Sequence, residues 1–248
     1  MKTAIIIGAT SGIGKAVAIR LLDKGWTVGI AGRRVGALEE IASRYERAVP
    51  RQMDITAEDA VDALDALLES VGAPDLFLHV SGAGYQNPSL DEQKEMLMVR
   101  TNCEGMVRIV TRFINFVKRS GSYSTERKAQ IGVVTSVAGT AGLGIAPAYS
   151  ATKKMQSTYL SALSQLARME KLPVLFSDIR PGFVATEFLN PGKKYPMMIS
   201  TEDAASYILK GLKRKRRIIV FDWRFKCITF LWRLIPRPLW ERLTFIKN

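Results

Sequence analysis

The stretch Gly8-Ala9-Thr10-Ser11-Gly12-Ile13-Gly14 narrows what this chain can fold into more than any other, because it joins an apolar run at 4–7 to an amphipathic stretch. Small residues at a strand-to-helix turn let the backbone approach a pyrophosphate, and the helix start offers it free N–H groups and a positive dipole end. A tight βα turn without a ligand uses the same residues, so the surrounding pattern decides. Over the first 85 residues, short apolar runs alternate with amphipathic stretches, as βαβ units on a parallel sheet do.

Strands are expected at 4–7, 27–31, 48–53, 75–80, 130–135, 174–179 and 218–221. Helices are expected at 13–24, 35–47 and 57–71, and from about 147 to 169. A long helical stretch is expected from about 91 to 118, with Met96, Val99, Cys103, Met106, Val110, Phe113 and Val117 at helix-compatible spacing. Ser200 or Thr201 is expected to cap the helix before the last strand. The architecture is therefore α/β: a single doubly wound parallel sheet of about seven strands with helices on both faces, over 1–222, followed by a helical basic aromatic tail at 223–248.

Two side-chain pairs bear on chemistry. Strand two ends in Ala31-Gly32-Arg33-Arg34, where a dinucleotide fold selecting NAD carries an acid for the ribose 2′-OH. Arg33 and Arg34 instead offer planar, permanent cations suited to a 2′-phosphate, which favours NADP(H) over NAD(H). A solvated pair at a helix start is the plainer reading. Further on, Tyr149 and Lys153 lie four apart, so one helical face brings phenol and ammonium together. A lysine charge there is expected to lower the phenol pKa from its usual value of about 10.

Taken in order, these motifs resemble the short-chain dehydrogenase/reductase family in its compact, single-domain, Rossmann-type form, over about residues 1–222. By that resemblance Gly8, Thr10, Ser11, Gly12, Ile13 and Gly14 form the cofactor turn, although Ile7 stands where the family often has threonine. Asp54 and the adjoining Ile55 lie near the adenine, and Asn102, Ser136, Tyr149 and Lys153 form the catalytic set. Pro181, Gly182, Val184 and Thr186 hold the nicotinamide carboxamide. Ser81-Gly82-Ala83-Gly84 replaces the family's Asn-Asn-Ala-Gly, which puts local bracing in question while leaving Gly82 beside the cofactor. His79, the single histidine, is assigned to the core.

The resemblance implies hydride transfer between the nicotinamide and a carbonyl or secondary alcohol, with no metal. Tyr149 acts as general acid or base, Ser136 stabilises the oxygen, Lys153 tunes the phenol and holds the nicotinamide ribose, and Asn102 binds a water that resupplies protons. It also implies a homo-oligomer, dimer or tetramer, through the helices at 91–118 and 147–169. Apolar residues within 187–199, among them Phe188, Leu189, Pro191, Tyr195, Met197 and Met198, favour a lipophilic or acyl-type substrate. A catalytically silent NADP-binding sensor acting through the tail is the rival from another class, and a carbohydrate epimerase or dehydratase is a third.

Charge is uneven. From Lys210 onward there are twelve Lys and Arg against Asp222 and Glu241, a net +10 of the chain's +13. Phe225, Phe230, Trp232 and Trp240 interleave with Arg224, Lys226, Arg233, Arg237 and Arg242. No apolar run reaches the roughly 20 residues that span a bilayer. Peripheral contact with the inner face of a membrane and packing on its own domain or a partner subunit both fit the tail, while specific nucleic-acid binding has no recognition motif to support it. Cys103 and Cys227, far apart, suggest neither disulfide nor zinc and fit a cytoplasmic setting.

Overall fold

The computed structural model describes residues 2–187, 189, 192 and 195–244. Of the apolar substrate segment at 187–199, Phe188 and Pro191 lie outside the described residues.

Seven strands, β1 (Thr3–Ile7), β2 (Thr27–Gly32), β3 (Ala48–Gln52), β4 (Leu76–His79), β5 (Ala129–Val134), β6 (Val174–Pro181) and β7 (Ile218–Phe221), form one sheet in the order β3-β2-β1-β4-β5-β6-β7. All six pairings are parallel. Strand order reverses between β1 and β4, so the connections leave the carboxyl ends of these two strands in opposite directions and open a crevice between them.

Helices cover both faces. Against one face, α3 (Ala60–Val71), α5 (Met106–Arg119) and α6 (Pro147–Met169) bury Leu64, Leu67, Ile109, Phe113 and Leu160 on Ile5, Phe77 and Ile131. The rings of Phe77 and Phe113 stack 4.2 Å apart. Against the other, α1 (Gly12–Leu22), α2 (Val35–Arg44) and α7 (Thr201–Lys213) bury Val17, Leu21, Leu38 and Ile208 on Ile6, Ile30 and Leu78. His79 is fully buried in β4, and burial together with the nearby Lys153 charge pushes its pKa down to about 3, so the ring is neutral. Ser200 caps α7, accepting from the Asp203 amide at 3.0 Å.

The helical stretch expected at 91–118 runs without a break over 92–119, as α4 (Glu92–Val99), a π-helical turn at Arg100–Gly105, and α5. The wider turn rotates the faces relative to each other, so Met96 and Val99 point outward while Met98, Asn102, Gly105 and Met106 point in. An uninterrupted 3.6-residue period cannot anticipate such an insertion.

After β7, the carboxylate of Asp222 accepts from the Arg224 amide at 3.0 Å and starts α8 (Trp223–Leu234), which a short α9 (Arg237–Trp240) follows. Among the described residues no helix is long and apolar enough to cross a membrane.

Candidate active site

Each motif segment emerges at a strand's carboxyl end: Gly8 after β1, Ser81 to Ala83 after β4, Ser136 after β5 and Gly182 after β6. Backbone geometry at the glycine turn explains its composition. Gly8 and Gly12 have φ of +94° and +52°, and a Cβ on Gly14 would lie 2.0 Å from the Gly8 carbonyl oxygen. Ser11 precedes α1 in extended conformation and makes no side-chain cap bond, so the first-turn N–H groups keep their donor capacity for an anion. Ile13 packs its side chain on the core beside this turn, and Thr186 sits across from it, 3.0 Å from the position of a Gly12 Cβ.

Two arginines expected to act alike are placed differently. Arg33 lines a pocket of about 320 Å³ with Gln52, Met53, Asp54, Ala57, Asp59 and Ala63. Arg34 instead reaches Thr10 Oγ1 at 3.3 Å and pairs with Glu187 at 3.0 Å, bridging the glycine turn to the segment after β6. In the Arg33 pocket, partial burial raises the Asp54 pKa, but bonds from the Thr56 amide and hydroxyl and the Arg33 charge outweigh it, leaving the carboxylate below its ordinary value. Ile55 turns its side chain into the core against Gly105, and its carbonyl accepts from Arg108 at 3.1 Å.

Around Tyr149, helix α6 presents Tyr149, Thr152, Lys153 and Gln156 at i, i+3, i+4 and i+7, one continuous inward face. Thr152 and Gln156 were not anticipated from sequence, although polar residues continuing a buried helical face are the signal for them. Asn102 donates to the Ala83 carbonyl at 2.7 Å and to Thr152 Oγ1 at 3.0 Å, and its Oδ1 accepts from the Ala83 amide at 2.8 Å. Gln156 donates to the Asn102 carbonyl at 2.8 Å. The Asn102 amide is thereby engaged with Ala83 and Thr152, and it braces the loop after β4 where the serine and glycine replace asparagines. Gly82 carries no side chain where a Cβ would meet Asn102 Oδ1 at 3.1 Å and Lys153 Nζ at 3.4 Å.

Lys153 Nζ donates to the Val134 carbonyl at 3.2 Å and lies 5.7 Å from the Tyr149 ring centre. Burial pushes its pKa down to about 8, against the favourable charge of buried Asp178. Ser136 Oγ accepts from the Ala138 amide at 3.1 Å and its side chain bonds the Tyr149 hydroxyl. Here the expected depression of the phenol is corrected: burial raises the Tyr149 pKa, the bond from Ser136 lowers it, and burial prevails. The lysine that was to supply the lowering charge is itself desolvated, and the whole pair pays for its burial.

Past β6, Pro181 closes the strand and Gly182 donates to the Phe221 carbonyl at 3.3 Å. Val184 is buried and bridges to Ile199. A Cβ on Gly182 would fall 2.1 Å from the ring of Phe225, on α8, and Phe183 stands edge-on to that ring at 5.9 Å and against Tyr195 at 4.9 Å. Phe225 therefore walls off Gly182, a contact of the tail that sequence reading missed. Trp240 Nε1 donates to the Gly142 carbonyl at 2.6 Å and anchors α9 nearby.

The glycine turn, its uncapped helix start and the Arg33 pocket fit a dinucleotide, with pyrophosphate at α1 and adenine toward Asp54. Among the described residues no cluster of His, Cys, Asp and Glu suits a metal.

The family profile described as "short chain dehydrogenase" matches residues 2–195. An uncharacterized oxidoreductase of Myxococcus xanthus is 28% identical over 250 residues, spanning 97% of this chain and 95% of that protein. Among solved structures, a short chain dehydrogenase/reductase from Burkholderia phymatum in complex with NAD superposes with TM-score 0.80 at 20% identity, over 93% of this chain and 92% of that one. A short chain dehydrogenase from Burkholderia cenocepacia in complex with NADP gives TM-score 0.82 at 19% identity, over 98% and 99%. These two likenesses concern the fold.

Proposed function

The chain belongs to the short-chain dehydrogenase/reductase family, NAD(P)-dependent oxidoreductases acting on CH–OH and C=O groups, and from that premise we propose that it is an NADP(H)-dependent reductase of a lipophilic or acyl-type carbonyl. The observation that carries the proposal is the group of buried Ser136 and Lys153 with half-buried Tyr149, set at the carboxyl ends of the strands beside a glycine turn.

A nicotinamide cofactor held by the turn at 8–14, Lys153 and the segment at 181–186 would supply the hydride, or accept it in reverse. As charge grows on the substrate oxygen, Tyr149 donates its hydroxyl proton and becomes phenolate, and Ser136 donates a hydrogen bond to the same oxygen. A raised phenol pKa keeps Tyr149 protonated at neutral pH, the state this direction needs. Lys153, with its pKa near 8, holds a proton that it can release toward the phenolate between turnovers. Asn102, Thr152 and Gln156 position α6 against the loop after β4. Phe183, Tyr195 and Phe225 support the apolar substrate class, since an aromatic wall beside Gly182 offers little to a small charged molecule.

Arg33 supports NADP(H): its guanidinium lines the pocket beside the glycine turn, where it would pair with a 2′-phosphate. The related folds bind NAD or NADP. Arg33→Ala is expected to weaken NADPH about tenfold to a hundredfold, the scale of a charge-assisted phosphate bond, with NADH changed less than threefold. Fluorescence titration with both cofactors checks this, and equal losses would remove the phosphate role. A homo-oligomer is also proposed, supported by outward Met96, Leu97 and Val99 on α4 and Leu166 and Met169 on α6. Free thiols at Cys103 and Cys227 support a reducing, cytoplasmic setting.

The reaction is tested with a panel of aldehydes, ketones, 3-oxoacyl compounds and secondary alcohols, followed by NADPH absorbance. Turnover of long apolar members is expected. Silence across the panel with NADPH still bound would favour a cofactor sensor instead.

A further inference from the structure

A surface helix of a globular protein ordinarily has one apolar face, turned to the core. α8 has two. Phe225 and Thr229, each 6% exposed, face the domain. At 100° per residue, Trp223, Cys227, Phe230, Leu231 and Leu234 fall within an arc of about 100° on the opposite side. Trp223, Phe230, Leu231 and Leu234 are 73%, 62%, 58% and 63% exposed, and Leu239 of α9 is exposed as well, at 53%.

Cations border this stripe. Arg224, paired with Asp222 at the helix start, lies along one edge and Lys226 and Arg233 along the other, with Arg237 and Arg242 beyond the helix. Between 222 and 244 these five cations stand against two acids, Asp222 and Glu241, which pair with Arg224 and Arg237. An aromatic and leucine stripe about 16 Å long, flanked by basic side chains, matches the headgroup–acyl boundary of a negatively charged bilayer in both polarity and depth. A second copy of the chain suits it less, because a two-fold contact through this face would bring its net positive charge against itself.

We propose that the outward face of α8 and α9 docks on an anionic lipid surface, so that the wall formed by Phe225 at Gly182 is held at the membrane and an apolar substrate enters from the lipid. The docking itself stands on α8 alone; the entry route rests on the reductase reading above. Docking through the outward stripe leaves the inward contacts of Phe225 with Gly182 and of Trp240 with Gly142 in place.

The test is co-sedimentation of the full chain with phosphatidylglycerol/phosphatidylcholine vesicles and with phosphatidylcholine vesicles alone. Binding to the anionic vesicles is expected, falling about tenfold or more on neutral vesicles and in the triple variant Phe230→Glu, Leu231→Glu, Leu234→Glu. These three side chains are outside the site, so NADPH binding and turnover of a water-soluble carbonyl are expected to persist in the variant and to report an intact fold. Wild-type protein left in the supernatant, or a triple variant that pellets as well as wild type, would overturn the proposal. So would a stripe whose replacement converts a lipid-free dimer to monomer while vesicles bind neither form. Pelleting needs no turnover, so an inactive protein that pellets counts against the reductase reading alone, and an active one that does not pellet counts against docking alone.

Discussion

Tyr149→Phe is expected to lower turnover by about a thousandfold or more while NADPH affinity changes less than about threefold. The replacement deletes one hydroxyl from a half-buried ring, so it leaves no large cavity and α6 keeps its packing. What disappears is the proton donor and the partner of Ser136. Stopped-flow measurement of NADPH oxidation beside fluorescence titration separates the two quantities. Turnover within tenfold of wild type would remove Tyr149 from the chemistry. A parallel collapse of NADPH binding would show that the residue's contribution is structural.

Lys153→Met is expected to move stability and activity in opposite directions. The folded pKa of about 8 lies below the ordinary 10.5, so at pH 7 the fold carries a penalty for the buried ammonium on the order of 3 kcal/mol. Methionine removes that penalty and forfeits the bond to the Val134 carbonyl, worth about 1 kcal/mol, for a net gain of about 2 kcal/mol. The sign with pH follows from proton counts. Between pH 8 and 10.5 the unfolded chain binds more protons at this site than the native one, so wild-type stability rises with pH there. The variant lacks that contribution, and its advantage should be full below pH 8 and shrink through this window. Turnover, deprived of the proton source for Tyr149, is expected to fall at least about a hundredfold. Urea melts at pH 7 and pH 10, compared between the two proteins, check the stability claim. An advantage independent of pH would refute the desolvation argument.

Much of the fold was legible because parallel strands buried on both faces read as unbroken apolar runs. Ile5-Ile6-Ile7 and the run at 218–221 fall where β1 and β7 lie. Where a residue's face depended on helix geometry, legibility failed: Met96 and Val99 point outward because a π-helical turn intervenes before Met106. At the site, the spacing of Tyr149 and Lys153 already placed them on one face of α6. Their electrostatics did not follow from spacing, since charge proximity argued for a lowered phenol and burial reversed it.

Sequence by itself determined the order of strands and helices, the glycine turn and the family, because these depend on local periodicity and on residues that only one backbone conformation admits. Tertiary structure alone decided which of two adjacent arginines faces the Asp54 pocket, that Asn102 braces Ala83, and that Phe225 reaches back to wall Gly182 from the far end of the chain. Each of these is a contact between segments distant in sequence, fixed by how the helices pack on the sheet, and no local pattern carries that information.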